Sequence, residues 1–114
     1  MFRGSSSIAN WITNFQTTQS TYTKWPTCNC KVHDGFQKAV NTVYNTALTE
    51  VKRLKSLHSA YTVKTTGHSL GGALAQLTAM ALIADGIPTT MINFGQPRVG
   101  DTTYAAFSHS KLAN

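Results

Sequence analysis

The sequence predicts an α/β fold in which helices pack on a parallel sheet. Three observations carry this expectation. Strand-like and helix-like segments alternate over the second half of the chain: "YTVKTT" (61–66), "LGGALAQLTAMALIADG" (70–86), "TTMINFG" (89–95) and a last periodic stretch after Asp101. The first of these helices is apolar on almost every side, as a helix enclosed by a sheet and other helices should be. The length of 114 residues allows one domain, and residues 1–114 are read as a single one.

In chain order, residues 1–3 resemble the end of a strand. Ile8, Trp11, Ile12 and Phe15 then repeat at helical spacing, behind the small polar loop "RGSSS". Residues 16–31 are polar and contain Pro26, and read as a connecting segment. From Phe36, apolar residues recur at three and four (Val40, Val43, Tyr44, Ala47, Val51, Leu54). This predicts an amphipathic helix to about Leu57, with Asp34 as its cap. "YTVKTT" has strand composition, although Lys64 and Thr65 make it more polar than a buried parallel strand usually is. Gly86 is the expected stop of the buried helix, and Asp101 the expected cap of a final helix through Phe107.

Composition narrows the function classes. Hydrophobic residues make up 41%, enough for a core, but charged residues only 12%, against roughly 25% in an average globular chain. The Thr, Ser and Asn that replace them fit a secreted or lumenal surface. The formal net charge is +6, with the basic residues scattered apart from Lys52, Arg53 and Lys55 on one outward helix face. Neither a basic stripe interleaved with aromatics nor a nucleic-acid-binding module is present. Weak attraction to an anionic lipid surface remains compatible with this charge. No apolar run approaches the ~20 residues needed to cross a bilayer, and "MFRGS" lacks the apolar centre of a signal peptide. Cys28 and Cys30 are separated by one residue, which leaves open a mutual disulfide or two unrelated thiols. His33 is near them without further ligands at metal spacing, so no metal or other cofactor is expected.

The chemistry-bearing stretch is "TGHSLGG", Thr66 to Gly72. Its Gly67-His68-Ser69-Leu70-Gly71 core is a G-x-S-x-G element between a predicted strand and a predicted helix, the context a nucleophile elbow requires. Ser69 has to sit at the tip of a sharp, strained turn with its hydroxyl reachable from solvent. Gly67 and Gly71 remove side chains that would clash where the helix folds back over the strand. The helix N-terminus supplies free amides and the positive end of its dipole. The bland alternative is a glycine-rich helix start that happens to contain a serine.

Taken together, "FRGSSSIANW", "VHDGF", "TGHSLGGALA" and "FGQPRVGD" resemble, in order, the fungal-type triacylglycerol lipases, the class 3 lipases of the α/β-hydrolase superfamily. The resemblance covers nearly the whole chain. It implies a partial α/β-hydrolase fold, a serine carboxylic-ester hydrolase acting on acylglycerols, and contact with a lipid–water interface. No nucleic acid or stable protein partner is implied. Ser69 would be the nucleophile, and the backbone amides of Leu70 and Ser5 the oxyanion hole, with the Ser5 hydroxyl as a further donor. Ile8, Trp11, Ile12 and Phe15 would form the apolar face of a lid, where pattern alone reads a short helix packed in a core. Cys28 and Cys30 lie where some relatives carry a small local disulfide. His33, His68 and Arg98 would be structural, Arg98 holding the "QPRVGD" turn.

The same resemblance implies a gap. The family's triad acid comes on the strand after the one matching "INFGQPRVG", and its histidine comes near the end, both beyond Asn114. Asp101 and His109 are in the right order, but eight helical residues hold them ~12 Å apart, whereas a triad needs hydrogen-bond contact. The expectation is a central piece of a lipase domain, inactive alone. Two other readings are a non-catalytic lipid-surface binder and a feruloyl-type or short-chain esterase.

Overall fold

Two short parallel strands and one buried helix form the centre of the molecule. The computed structural model describes residue 1 and residues 18–112. The strand expected at 1–3, apart from Met1, and the whole helix carrying Ile8, Trp11, Ile12 and Phe15 lie outside the described residues. Strands β1 (Gln19–Thr21) and β2 (Lys31–His33) are followed by helix α1 (Asp34–Leu57), strand β3 (Val63–His68), helix α2 (Leu70–Ala84), strand β4 (Thr89–Phe94) and helix α3 (Thr102–Leu112). β3 and β4 pair in parallel, from Val63 opposite Thr89 to His68 opposite Phe94. The α/β architecture is therefore that of a partial α/β-hydrolase fold, with α2 as the crossover between neighbouring parallel strands.

α2 is enclosed because small residues let its neighbours approach. Ala73, Ala75 and Ala79 are fully buried, as is Met80, and Leu77 and Leu82 are nearly so. α2 lies against both β3 and β4 on one side and against α1 on another. It ends where expected: Gly86 takes φ 84°, and the amides of Gly86 and Ile87 return to the carbonyls of Ile83 and Leu82. On the opposite face of the sheet, Ile92 and Phe94 are more than half exposed.

Four expectations need correction. The segment 16–31 is not a mere connection, because Gln19–Thr21 and Lys31–His33 pair antiparallel. Between them Pro26–Cys28 forms a 3-10 turn, and Cys28 and Cys30 are disulfide-bonded. The hairpin is stable despite its polarity because Tyr22 and Val32 are buried, and because the Trp25 indole donates to the Met80 carbonyl at 2.8 Å. Second, the α1 cap is His33, whose Nδ1 accepts the Phe36 amide at 3.1 Å; Asp34 is already the first helical residue. Third, α1 buries Phe36, Val40 and Tyr44, while Val43 and Leu54 stay exposed. Its 24 residues extend about 36 Å, well past the shorter α2 on which it packs. Fourth, β3 begins two residues late, at Val63, since Tyr61 is exposed and stacks on His58.

Candidate active site

β3 runs into the elbow without a break, because Gly67 and His68 are still paired with Asn93 and Phe94. The chain then turns at Ser69, with φ 54° and ψ −122°, and α2 starts at Leu70. The turn is fixed from both sides. The Ser69 amide donates to the Phe94 carbonyl at 3.0 Å, and the Ser69 carbonyl accepts from the amides of Gly72 and Ala73 at 3.0 and 3.3 Å. The amides of Leu70 and Gly71 therefore precede the first intrahelical bond and stand at the positive end of the helix dipole.

The glycines follow from close approach. A Cβ on Gly67 would lie 2.2 Å from the Gly71 carbonyl oxygen, so only glycine at 67 lets the strand lie this close to the first turn of the helix. A Cβ on Gly72 would lie 3.2 Å from the Gln96 Cβ. His68 is exposed, with its ring against Gly95.

Ser69 is only 5% exposed, less than a hydroxyl reachable from solvent implies. Its main-chain groups are enclosed by the β4 carbonyl and the first turn of α2, which accounts for the burial of its backbone. Its side chain makes no capping bond to α2.

Two residues that sequence reasoning passed over brace this turn. The Asn93 amide donates to the Gly72 carbonyl and to the Gln96 side-chain oxygen, both at 2.7 Å. It thereby ties the end of β4 to the first turn of α2. The available signal was one carboxamide in the otherwise apolar stretch "MINF", at an inward position of the strand.

Asp101 and His109 are not brought together as a triad. One Asp101 oxygen caps α3 by accepting the Tyr104 amide at 2.8 Å, and the other accepts the Lys31 amide at 3.1 Å. His109 lies in the last turn of α3 and lines a recess with Arg98 and Gln96. Arg98 holds its turn by donating to the Gly100 carbonyl at 2.8 Å and the Thr102 hydroxyl at 3.2 Å. Asp85, at the far end of α2, binds Tyr44 and Lys24. Among the described residues no group of three or more His, Cys, Asp or Glu side chains is placed to hold a metal ion.

A serine forced to positive φ between a parallel strand and the helix that crosses back over it is the junction of an α/β-hydrolase fold. The chain belongs to the class 3 lipase family, whose sequence profile matches residues 1–114. A secreted mono- and diacylglycerol lipase of Fusarium solani is 39% identical over 105 residues, covering 92% of this chain and 31% of that protein. A lipase of Rhizomucor miehei is 38% identical over 112 residues, covering 94% and 30%. Among solved structures, the Rhizomucor miehei triacylglyceride lipase superposes with a TM-score of 0.88 at 37% identity, over 96% of this chain and 43% of that one. The mono- and diacylglycerol lipase of Aspergillus oryzae gives 0.85 at 32%, over 96% and 40%. The chain thus spans about a third of the length of the curated relatives it matches.

Proposed function

We propose that this chain is the nucleophile-bearing part of a single serine carboxylic-ester hydrolase domain acting on acylglycerols. The observation that carries the reading is the backbone of Ser69, held at φ 54° and ψ −122° at the head of α2. Strain of this kind costs about 1–3 kcal/mol and is retained where it aims a side chain. Ser69 Oγ attacks the ester carbonyl carbon, and its proton would pass to a histidine base, which the described residues do not place at Ser69. The resulting tetrahedral oxyanion would be met by the Leu70 amide and by Ser5, which lies outside the described residues. Loss of one such donor lowers kcat by about 10²–10³. Collapse expels the alcohol and leaves an acyl-serine, which water then cleaves.

The substrate class is taken from relatives described as mono- and diacylglycerol or triacylglycerol lipases. One of the solved relatives is described as having a serine protease triad at its catalytic centre. Ile8, Trp11, Ile12 and Phe15 would form an apolar lid face that turns outward at a lipid surface. Burial there is worth about 25 cal/mol per Å². Two of the relatives are named as secreted, which supports action outside the cell or in a lumen.

The test is covalent labelling with an alkyl fluorophosphonate, with Ser69→Ala as control. In a domain that carries this chain together with a triad base and acid, labelling at Ser69 and p-nitrophenyl ester hydrolysis rising with acyl length are expected of the lipase; residues 1–114 alone are expected to give neither. Preference for the shortest or for aryl acyl groups would replace lipase by esterase. A second reading, a lipid-binding piece without turnover, is favoured by the engagement of both Asp101 oxygens in structure. It predicts vesicle binding with no labelling at all.

A further inference from the structure

Asn93 stands opposite Gly67 in the parallel strand pair, one residue before Phe94, whose carbonyl holds the Ser69 amide. Its side-chain amide donates to the Gly72 carbonyl and to the Gln96 side-chain oxygen, both at 2.7 Å. These two bonds occupy both amide hydrogens; the Met91 sulfur at 3.1 Å is only a weak acceptor. A peptide carbonyl can only accept, so the nitrogen of the carboxamide must be the atom that faces Gly72. The carboxamide oxygen is buried with no hydrogen-bond partner among the described residues. An apolar residue of the same size would leave no such group unpaired, so the value of asparagine here lies in its donors.

Those donors reach the elbow through the backbone. The Gly72 carbonyl and the Ala73 amide belong to one planar peptide unit, and the Ser69 carbonyl and the Leu70 amide to another. The Ala73 amide donates to the Ser69 carbonyl at 3.3 Å, beside the Gly72 amide at 3.0 Å. Asn93 is thus joined to the Leu70 amide by two hydrogen bonds and two peptide planes. In a trans peptide the N–H points opposite to the C=O. With its carbonyl drawn into α2, the Ser69–Leu70 peptide turns its N–H out of the helix. Holding the Gly72–Ala73 plane therefore sets the direction of the Leu70 donor. Each bond in such a chain also polarises the next, by roughly 10–30%. The 3.3 Å step is the longest, so orientation carries more of the effect than polarisation.

The first turn of α2 needs this outside hold. Gly71 and Gly72 follow Leu70 directly, and glycines make a helical turn easy to deform. A Cβ on Gly72 would lie 3.2 Å from the Gln96 Cβ and 3.4 Å from the Gly67 carbonyl oxygen. Such contacts limit how close the turn comes but do not orient it, whereas the Asn93 bond is directional.

We propose that Asn93 is a positioning residue for ester hydrolysis: by holding the Gly72–Ala73 peptide, it aims the Leu70 amide at the oxyanion. The proposal rests on the reading of Ser69 as nucleophile and of Leu70 as oxyanion donor.

The test uses the whole domain that contains this chain. Asn93→Leu keeps the volume and removes the donors. Its kcat on a p-nitrophenyl ester should fall about tenfold, short of the ~10²–10³ of a donor lost outright. KM should stay within about twofold, since the interaction is made in the transition state. The backbone amide protons of Ala73 and Leu70 should move upfield in the same variant, a signature that a general loss of stability would not give. Asn93→Asp keeps the shape, and only its protonated form can donate to Gly72. Its kcat relative to the wild type should therefore decline as pH rises, and this variant carries the test if the leucine variant does not fold. Unchanged kcat per folded molecule, or an amide shift that stops at Ala73, would overturn the proposal and leave Asn93 a structural brace, with the hydrolase reading intact. A wild-type domain that neither labels at Ser69 nor turns over would instead remove the hydrolase reading, and this role of Asn93 with it.

Discussion

Two residues other than glycine hold positive φ among the described residues, Asn29 and Ser69. Asparagine adopts the left-handed region with little strain, and Asn29 does so at the end of a turn. Ser69 has no such tolerance, so its conformation must be imposed by the Phe94 carbonyl, the first turn of α2 and the Gly67–Gly71 contact. Replacing Ser69 by Gly removes the Cβ that makes φ 54° costly, whereas Ala keeps it. Strain of about 1–3 kcal/mol, set against the ~0.5–1 kcal/mol entropic cost of glycine, predicts that Ser69→Gly is more stable than Ser69→Ala by about 0.5–2 kcal/mol. Urea unfolding of the two variants measures it, and equal stabilities would mean the turn is not strained. Gly67→Ala should act in the opposite sense. A Cβ 2.2 Å from a backbone oxygen forces strand and helix apart, at about 1–3 kcal/mol or more, and should abolish fluorophosphonate labelling of Ser69. This turn was legible in "TGHSLGG" because two glycines around a serine have few other uses between a strand and a helix. The Asn93 brace was not, because a lone carboxamide says nothing of the carbonyl 21 residues earlier that it meets.

Elements were legible where their period was long and their ends were marked. α2 has fifteen residues, buried on nearly every side and closed by Gly86, and both of its bounds could be placed from composition. β1 and β2 have three residues each, too few to show alternation. They are held by partners distant in sequence: the His33 amide donates to the Val99 carbonyl at 2.6 Å, and the Asp101 amide to the Lys31 carbonyl at 3.0 Å. Asp101 therefore does two jobs, capping α3 and fastening β2 to the turn after β4. Asp101→Ala should destabilise by about 1–2 kcal/mol, the range for a lost helix cap, visible as a lower denaturation midpoint. Under conditions where the variant is folded, labelling of Ser69 should be unchanged. A loss of labelling without a loss of stability would instead make Asp101 the triad acid.

At the scale of the whole molecule, the ends of the chain's described elements are joined by one polar cluster. Lys24 follows β1, Tyr44 lies in α1 and Asp85 ends α2, and the three meet at 2.9 Å and 2.5 Å. None of this could be read from a sequence in which Lys24 and Asp85 are 61 residues apart. The cluster gives stability a pH window. The Tyr44 hydroxyl, and then the Lys24 ammonium, hold the Asp85 carboxyl below the ordinary carboxylate range. A carboxylate depressed in the folded state contributes stability that is full above its unfolded value, near ~4, and is lost as pH falls through the folded value. The tyrosines set the other limit. Burial raises the Tyr22 and Tyr104 hydroxyls well above the ordinary value; burial and then the bond to Asp85 do the same to Tyr44. Groups raised in the folded state contribute stability that is full below ~10 and is lost above it, as the unfolded chain ionises first. Urea midpoints followed across pH should therefore form a plateau that falls on both sides. Asp85→Asn should lower the plateau and flatten its acid limb while leaving the alkaline limb set by Tyr22 and Tyr104. An acid limb equally steep in Asp85→Asn would show that other carboxylates govern acid unfolding and that the three-element cluster contributes little.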